Sequence, residues 1–187
     1  MQRDEWKRAF EDLRTSGKVR YTGISINDHQ PDTALEAVAS GLIDAVQVIY
    51  NIFDQTPERN LFAAAQRHNV GVLARVPLDE GSLTGAIRED TAFEGDEFRA
   101  FYFRGDRKTQ VVERVEALRA DLDGVPGTLP EIALRFVITH PAVSTVIPGM
   151  RRVTTVESSL GVSDTGPLPE AIVEKLRNHA WNKNFYR

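Results

Sequence analysis

Three short segments rich in β-branched residues decide the fold, and they read VRYTGIS at 19–25, DAVQVIY at 44–50 and VGVLARV at 70–76. Runs of this length and composition predict β-strands that are buried on both faces. Equivalent positions at Val19, Ala45 and Gly71 lie 26 residues apart, with room for a helix between consecutive strands. This rhythm predicts successive βα units and therefore a parallel sheet.

The remaining sequence predicts one more strand and several helices. Residues 76–108 contain four glycines with many charges and several aromatic residues, so we predict a long loop there. The pattern Thr128-x-x-Glu131 predicts a capped helix start, and Thr154-x-x-Glu157 predicts a second one. Between them, VSTVI at 143–147 is the fourth predicted strand.

Four strands alternating with helices amount to half of a (β/α)8 barrel, which has eight strands and typically about 250 residues. The predicted fold class is therefore α/β, with residues 1–187 forming a single half-barrel domain. A chain of 187 residues is long enough for one well-packed domain and too short for two comfortable ones.

Composition excludes several classes of function. The net charge of -4 gives no electrostatic reason to expect nucleic acid or an acidic membrane as a partner. The absence of cysteine excludes disulfides, thiolate metal sites and cysteine nucleophiles. Residues 1–8 are charged and lack the apolar core of a secretory signal, and no stretch approaches the ~20 apolar residues that span a bilayer. We therefore expect a cytoplasmic protein.

Four segments resemble, in order, successive strands of one enzyme family. Residues 17–25 and 46–51 (GKVRYTGIS and VQVIYN) resemble strands five and six of the aldo-keto reductases. Residues 71–85 resemble strand seven and its loop, and IPGMR at 147–151 resembles strand eight. Four ordered matches over nearly the whole chain are specific, whereas any one alone would be weak. The resemblance implies the cofactor-binding, C-terminal half of a barrel that reduces carbonyls by hydride transfer.

The resemblance assigns the residues at three strand ends to the nicotinamide. Ser25 and Asn27 resemble the pair that hydrogen-bonds the carboxamide, although Ile26 intervenes here where the family pattern has them adjacent. Gln47 matches a glutamine that contacts the same amide, and hydroxyl and amide groups together offer the donors and acceptors a carboxamide needs. The alternative is that Ser25 and Gln47 satisfy backbone groups at the strand ends.

Arg75 occupies the position where the family often has an aromatic ring stacked on the nicotinamide. A guanidinium plane can also stack on a ring face. The alternative is an ion pair with Asp79 or Glu80.

The resemblance assigns the later loops to the phosphates. Leu78 and the 81–83 stretch match the loop that folds over the pyrophosphate, where glycine lets backbone amides approach phosphate oxygens. The strand-eight motif leads into a helix whose N-terminus favours a phosphate. Arg151 and Arg152 would suit the 2′-phosphate of NADP, so NADP(H) is expected in preference to NAD. The alternative for the 81–83 stretch is an ordinary flexible loop, and the alternative for Arg151 and Arg152 is that they are only solvated charges.

One departure weakens the adenine end of this assignment. Serines at Ser158 and Ser159 replace the usual Glu-Asn pair that holds the adenine. The implied cofactor-binding set is Ser25, Asn27, Gln47, Arg75, Val76, Leu78, Gly81, Ser82, Leu83, Gly149, Arg151 and Thr155.

The chemistry of carbonyl reduction needs groups that the resemblance places elsewhere. In the family, a tyrosine acid, a lysine, an aspartate and commonly a histidine all belong to the first half of the barrel. The four tyrosines of this chain occur in other contexts, and its four histidines show no metal-ligand spacing, so we assign neither a catalytic residue nor a metal site. The substrate cannot be assigned from the sequence.

Three hypotheses remain open at this stage. The first is a truncated cofactor-binding protein with little reductase activity by itself. The second is an assembly module, because a half barrel has two unpaired strand edges and exposes apolar surface, which favours a homodimer or pairing with a separate N-terminal half. The third is an ordinary reductase of which this sequence is only a part. The aromatic residues Trp181, Phe185 and Tyr186 are expected to contact a substrate pocket, the missing side of the barrel or a partner.

Overall fold

The computed structural model describes residues 5–95 and 97–187, so the predicted helix start at Asp4 lies outside the described residues. Within them, four parallel strands form one sheet in the order β1-β2-β3-β4. The strands are β1 (Gly23–Ser25), β2 (Ala45–Ile49), β3 (Gly71–Arg75) and β4 (Val143–Ile147). The helices are α1 (Glu5–Thr15), α2 (Leu35–Ala39), α3 (Leu61–Arg67), α4 (Phe98–Tyr102), α5 (Arg107–Asp121), α6 (Leu129–Thr139), α7 (Val153–Thr165) and α8 (Glu170–Arg177), with short 3-10 helices at Pro31–Ala34, Thr56–Glu58 and Asp79–Thr84.

The prediction of parallel strands alternating with helices is confirmed, but β1 is shorter than predicted. The segment before Gly23 is fixed by side chains, since the backbone N–H of Thr22 donates to the Asp44 carboxylate at 2.8 Å and its hydroxyl donates to the Leu42 carbonyl at 2.7 Å. Strand pairing therefore starts only at Gly23, opposite Ala45. A Cβ at Gly23 would lie 2.8 Å from the Ala45 carbonyl oxygen, so the first pair of the sheet requires glycine there.

The two faces of the sheet differ in burial. Side chains alternate between faces along each strand, and Val46, Val48, Val72 and Ala74 are buried in the hydrophobic core. The opposite face carries a row in register across all four strands, formed by Ser25, Gln47, Leu73 and Thr145, which are partly or fully exposed. The polar ends of β1 and β2 therefore lie side by side on the open face.

A β-bulge interrupts the pairing of β3 with β4. Val72 pairs with Val143 and Leu73 with Thr145, so Ser144 is an extra residue in β4. The Ser144 hydroxyl oxygen accepts a hydrogen bond from the Val72 backbone N–H at 3.1 Å. A side chain thus supplies an acceptor where the regular ladder is disrupted.

The two predicted helix caps have different outcomes. Thr128 and Glu131 form a reciprocal capping box at the start of α6, as predicted. The prediction at Thr154 is wrong, because α7 already begins at Val153 and Arg152 is its N-cap residue. Thr154 therefore lies inside the first helical turn rather than before it.

The predicted long loop at 76–108 is more structured than expected. It contains the 3-10 helix Asp79–Thr84 and α4, and α5 begins at Arg107. Tyr102 of α4 is fully buried and contacts Phe185 and Tyr186 edge-on, with ring centroids 5.3 and 5.1 Å away. These contacts with residues distant in sequence help to hold a helix of only five residues in place.

Candidate functional site

A groove of about 730 Å³ lies between the segment that follows β3 and the segment that follows β4. Both segments leave the carboxyl ends of parallel strands, which is where ligand sites of α/β folds lie. Half of the predicted cofactor-binding residues line it, namely Val76, Leu78, Gly81, Gly149, Arg151 and Thr155. Sequence analysis missed Glu80 and Arg99, which line the same groove. Arg99 comes from α4, which was predicted as loop.

The groove wall near α7 is suited to an anion. The first backbone N–H groups of an α-helix have no intrahelical partner, and its dipole favours negative charge at the N-terminus. Arg151 and Arg152 stand at this end of α7, are exposed and form no ion pair with any described residue. Two arginines and a helix N-terminus therefore meet on one wall of the groove.

The polar residues at the ends of β1 and β2 lie outside the groove. Ser25 and Asn27 line a second cavity, of about 670 Å³, together with Trp6 and residues of α2. Gln47 pairs with Ser25 in the sheet. The side chains of Ser25, Asn27 and Gln47 donate or accept no hydrogen bond within the described part of the chain. The alternative prediction, that Ser25 and Gln47 form hydrogen bonds with nearby backbone groups, is therefore not supported by any bond in the described residues.

Arg75 lies between these two regions. Its guanidinium Nη2 donates to the Asp28 carboxylate at 2.6 Å and to the Ile26 carbonyl at 3.2 Å. An ion pair was one of the two predictions for Arg75, but its partner is Asp28 and not Asp79 or Glu80. The Arg75 Nε is buried and has no hydrogen-bond partner in the described residues. A buried donor of this kind normally has an acceptor.

Two further predicted residues do not reach the groove with their side chains. Ser82 and Leu83 are fully buried, and the Ser82 hydroxyl donates to the Asp79 carbonyl at 2.8 Å. Asp79 is also buried. The loop at 76–85 therefore has an inner side that contacts the protein interior and an outer side that faces the groove.

The inner side of this loop contacts residues that sequence analysis missed. The Lys183 ammonium donates to both carboxylate oxygens of Asp79, at 2.9 and 2.8 Å, and to the Tyr102 hydroxyl at 2.7 Å. Burial and the adjacent Asp79 carboxylate raise the pKa of Tyr102 well above its ordinary value, so the hydroxyl stays protonated. The sequence signal that could have indicated this site is a lone lysine between aromatic residues in 181–186, since a lysine can also lie over aromatic rings.

A buried carboxylate–imidazole pair follows β1 and β2. The Nδ1 of His29 and the Asp54 carboxylate are 2.6 Å apart. Burial opposes ionisation of Asp54, but hydrogen bonds from His29 and Thr56 outweigh it and lower the pKa of the carboxyl. The His29 Nε2 is buried without a partner in the described chain. Its ring centroid lies 5.5 Å from that of Tyr186.

A third cavity, of about 310 Å³, contains none of the predicted residues. Tyr50, Phe136, His140 and Arg177 are among the residues that line it. The Tyr50 hydroxyl donates to Glu58 at 2.6 Å. Burial lowers the pKa of His140, although the nearby Glu58 carboxylate opposes this shift. His140 is therefore held neutral by its apolar surroundings.

No helix at 5–95 or 97–187 has the length and apolar character needed to cross a membrane. In the same ranges, no three His, Asp or Glu side chains are grouped in a way that could bind a metal ion.

Comparison with known proteins gives one family. Residues 2–180 match the model of the Aldo/keto reductase family. The NADP(+) aldo-keto reductase of Schizosaccharomyces pombe is 27% identical over 170 residues, which are 87% of this chain and 48% of that protein. The NADH-specific methylglyoxal reductase of Escherichia coli is 25% identical over 140 residues, covering 75% of this chain and 42% of that protein. The chain spans about half the length of the curated relatives it matches.

A solved structure agrees with this match. The aldo-keto reductase of Bacillus halodurans in its holo form superposes with a TM-score of 0.73 at 26% identity. The superposition covers 96% of this chain and 57% of the Bacillus halodurans chain.

Proposed function

The chain belongs to the aldo/keto reductase family, and on that basis we propose that it supplies the NADP(H)-binding half of a carbonyl-reducing (β/α)8 barrel. The observation that carries the proposal is the groove whose walls combine Gly81 and the loop at 76–85 with Arg151 and the N-terminus of α7. Backbone amides, a helix N-terminus and unpaired arginines are the groups that bind phosphates in proteins.

The residues present fit a dinucleotide along most of its length. The pyrophosphate would lie against Leu78 and Gly81, and the 2′-phosphate against Arg151 and Arg152. The nicotinamide would lie on the open face of the sheet, where the uncommitted side chains of Ser25 and Gln47 provide a hydroxyl and an amide. The unpartnered Nε–H of Arg75 between these regions is a donor that a polar ligand would satisfy. The serines Ser158 and Ser159 give the adenine a weaker site than the family's usual pair.

The bound cofactor would supply a hydride to the carbonyl carbon of the substrate. The residues of this chain would bind and orient it, because positioning the hydride donor is a large part of catalysis. We propose that the proton donor and its partners belong to the other half of the barrel, so this chain by itself should have little activity.

Binding of the cofactor tests the proposal directly. Titration of the chain with NADPH, followed by fluorescence and calorimetry, should give saturable binding, with weaker binding of NADH. No saturable binding at millimolar cofactor would contradict it. NADPH oxidation in the presence of aldehydes and ketones should stay near background, and robust ketone turnover would refute the assignment of the proton donor to another segment.

A second function, assembly, is favoured by a separate observation. The outer edges of β1 and β4 pair with no strand in the described residues, and exposed apolar side chains lie near both edges. Tyr21, just before β1, is 75% exposed, and Val153, just after β4, is 73% exposed. Such edges favour a homodimer or association with a complementary N-terminal half. Light scattering should give a mass above that of one chain, whereas a stable monomer at all concentrations would refute assembly.

A further inference from the structure

The C-terminal tail, residues 181–187, is joined to the loop at 76–85 by a buried ion pair. Only 5% of the Lys183 side chain and 3% of the Asp79 side chain are exposed. Removing one partner of such a pair leaves an uncompensated charge in the interior, which is far less favourable than the intact pair. Loss of either charge therefore disturbs the contact between the loop and the tail, because the other charge is left without its partner.

A second bond joins the tail to the next residue of the loop. The Tyr186 hydroxyl donates to the Glu80 carboxylate at 2.8 Å. Tyr186 also contacts His29, which follows β1, and Phe98 of α4, at centroid distances of 5.5 and 5.8 Å. One tail residue therefore contacts the loop, the segment that follows β1, and α4.

The backbone of this loop has a conformation that its sequence does not favour. Val76, Asp79 and Glu80 have φ values of 54°, 49° and 55°, a region that side chains other than glycine rarely occupy. Strained residues of this kind persist only where surrounding contacts determine them. Lys183 and Tyr186 contact two of these three residues, and so they stabilise the strained turn.

The same turn forms a wall of the groove. Leu78, Glu80 and Gly81 line the groove, while Asp79 between them points to Lys183. Asp79 therefore faces the tail, its neighbours Leu78 and Gly81 line the groove, and Glu80 lines the groove while its carboxylate accepts from Tyr186. A change in the Asp79 contact would therefore move the neighbouring residues that line the groove.

The tail is also fixed by elements outside the loop. The Trp181 backbone N–H donates to the Phe53 carbonyl at 2.8 Å, and the Arg107 guanidinium donates to the Phe185 carbonyl at 2.8 Å. The backbone on both sides of Lys183 is therefore held by residues outside the loop at 76–85.

We propose that Lys183 and Tyr186 are positioning residues for the cofactor, so that docking of the C-terminal tail and binding of the dinucleotide pyrophosphate are energetically coupled. This inference rests on the proposed function, because it concerns the same groove. Coupling between two sites is reciprocal, so the bound cofactor stabilises the docked tail.

Four variants of the full chain test the coupling. Lys183→Met removes the ammonium, and Tyr186→Phe removes one hydroxyl while keeping the ring. The double variant Asp79→Asn/Lys183→Met removes both charges and keeps the net charge of the chain. It leaves no unpaired buried charge, so it should be less destabilised than Lys183→Met. Lys175→Met is the matched control, because Lys175 is exposed and donates to the Asp121 carbonyl on α5.

Two readouts separate positioning from folding. Amide hydrogen exchange across 76–85, measured without cofactor, reports the order of the loop. The dissociation constants for NADPH and for 2′-AMP compare a ligand that has a pyrophosphate with one that has only the 2′-phosphate end. In both Lys183 variants, exchange in the loop should accelerate, and NADPH should bind roughly 5- to 150-fold more weakly, the usual range of coupling between sites. Tyr186→Phe should have a smaller effect in the same direction, and 2′-AMP affinity should change less than about twofold, well under the coupling range.

Each contrary result has a distinct meaning. Unchanged exchange in the loop of the double variant overturns the inference whether or not the cofactor binds. Equal weakening of NADPH and 2′-AMP overturns it as well, because the variants would then act through overall stability. Wild-type protein that binds no NADPH overturns the proposed function and this inference together, whereas wild-type binding with unchanged variants overturns the inference alone.

Discussion

If the proposed 2′-phosphate site is correct, replacing the arginines at the start of α7 should weaken binding of NADPH and leave binding of NADH nearly unchanged. Arg151 and Arg152 are exposed and unpaired among the described residues, so their glutamine variants leave no buried charge behind. Two unit charges 4 Å apart attract by about 1 kcal/mol in water. A phosphate that carries nearly two charges roughly doubles this to ~2 kcal/mol for each arginine. Since 1.4 kcal/mol corresponds to tenfold, each single variant should bind NADPH about 30-fold more weakly.

The assay is a parallel fluorescence titration with NADPH and NADH at fixed ionic strength. NADH has no 2′-phosphate, so its affinity should stay within about twofold, which is under 0.5 kcal/mol. Arg67→Gln is the matched control, because it removes one exposed arginine from α3, away from the groove. Raising the salt concentration should reduce the difference between wild type and variants, since exposed charges are screened. Equal losses for the two cofactors, or no loss for NADPH, would refute the assignment of the 2′-phosphate to these arginines.

Three further predictions concern stability. Leu118→Ala in α5 empties a fully buried position and should lower the free energy of unfolding by about 2–5 kcal/mol in a denaturant titration, with Leu118→Met as the milder control. Thr128→Ala should cost about 1 kcal/mol at neutral pH. Hydrogen bonds from the Thr128 backbone N–H and, to a smaller extent, from its hydroxyl lower the pKa of Glu131, so their stabilisation is present above the pKa of an unfolded glutamate and is lost as pH falls through the folded value. Thr128→Ala removes only the hydroxyl, so the melting temperatures of variant and wild type should move closer in acid without becoming equal. Burial lowers the pKa of His140 below 6.5, so the unfolded chain binds this proton more readily than the folded chain, and the melting temperature should fall as pH drops below 6.5. His140→Gln should flatten this part of the plot of melting temperature against pH. An unchanged plot would contradict the assignment.

The regular part of the fold was predictable because it depends on local pattern. The apolar segments at 45–49 and 71–75 identify two strands, and the constant spacing identifies the βα repeat. Burial on both faces was also predicted, but Gln47 and Leu73 on the open face are only partly buried. The capping box at Thr128 was predictable for the same reason, since its two bonds join residues three positions apart. At Thr154 the same pattern failed, because α7 begins at Val153, two residues earlier than the pattern predicts.

The candidate site was only partly predictable. The resemblance located the residues that line the groove on both walls, because glycines and arginines at strand ends are visible in the sequence. Arg75 pairs with Asp28, 47 positions away, and Lys183 pairs with Asp79, 104 positions away. Such pairs depend on how distant segments pack, which no spacing in one chain specifies. The short helix α4 was missed for the same reason, since Tyr102 is buried by residues 185 and 186.

The bulge at Ser144 determines which side chains β4 presents to each face. Val143 and Val146 both pack against the hydrophobic core, although they are three positions apart and would lie on opposite faces of a regular strand. The extra serine shifts the alternation of side chains between the two faces by one residue, so both valines face the core. After the strand, the chain reaches the groove at Gly149. A deletion of this single residue would therefore invert the strand downstream of it, exposing Val146 and redirecting the segment that carries Arg151. Insertions and deletions in β4 should therefore disturb the groove wall that carries Arg151 more than most substitutions in β4 do.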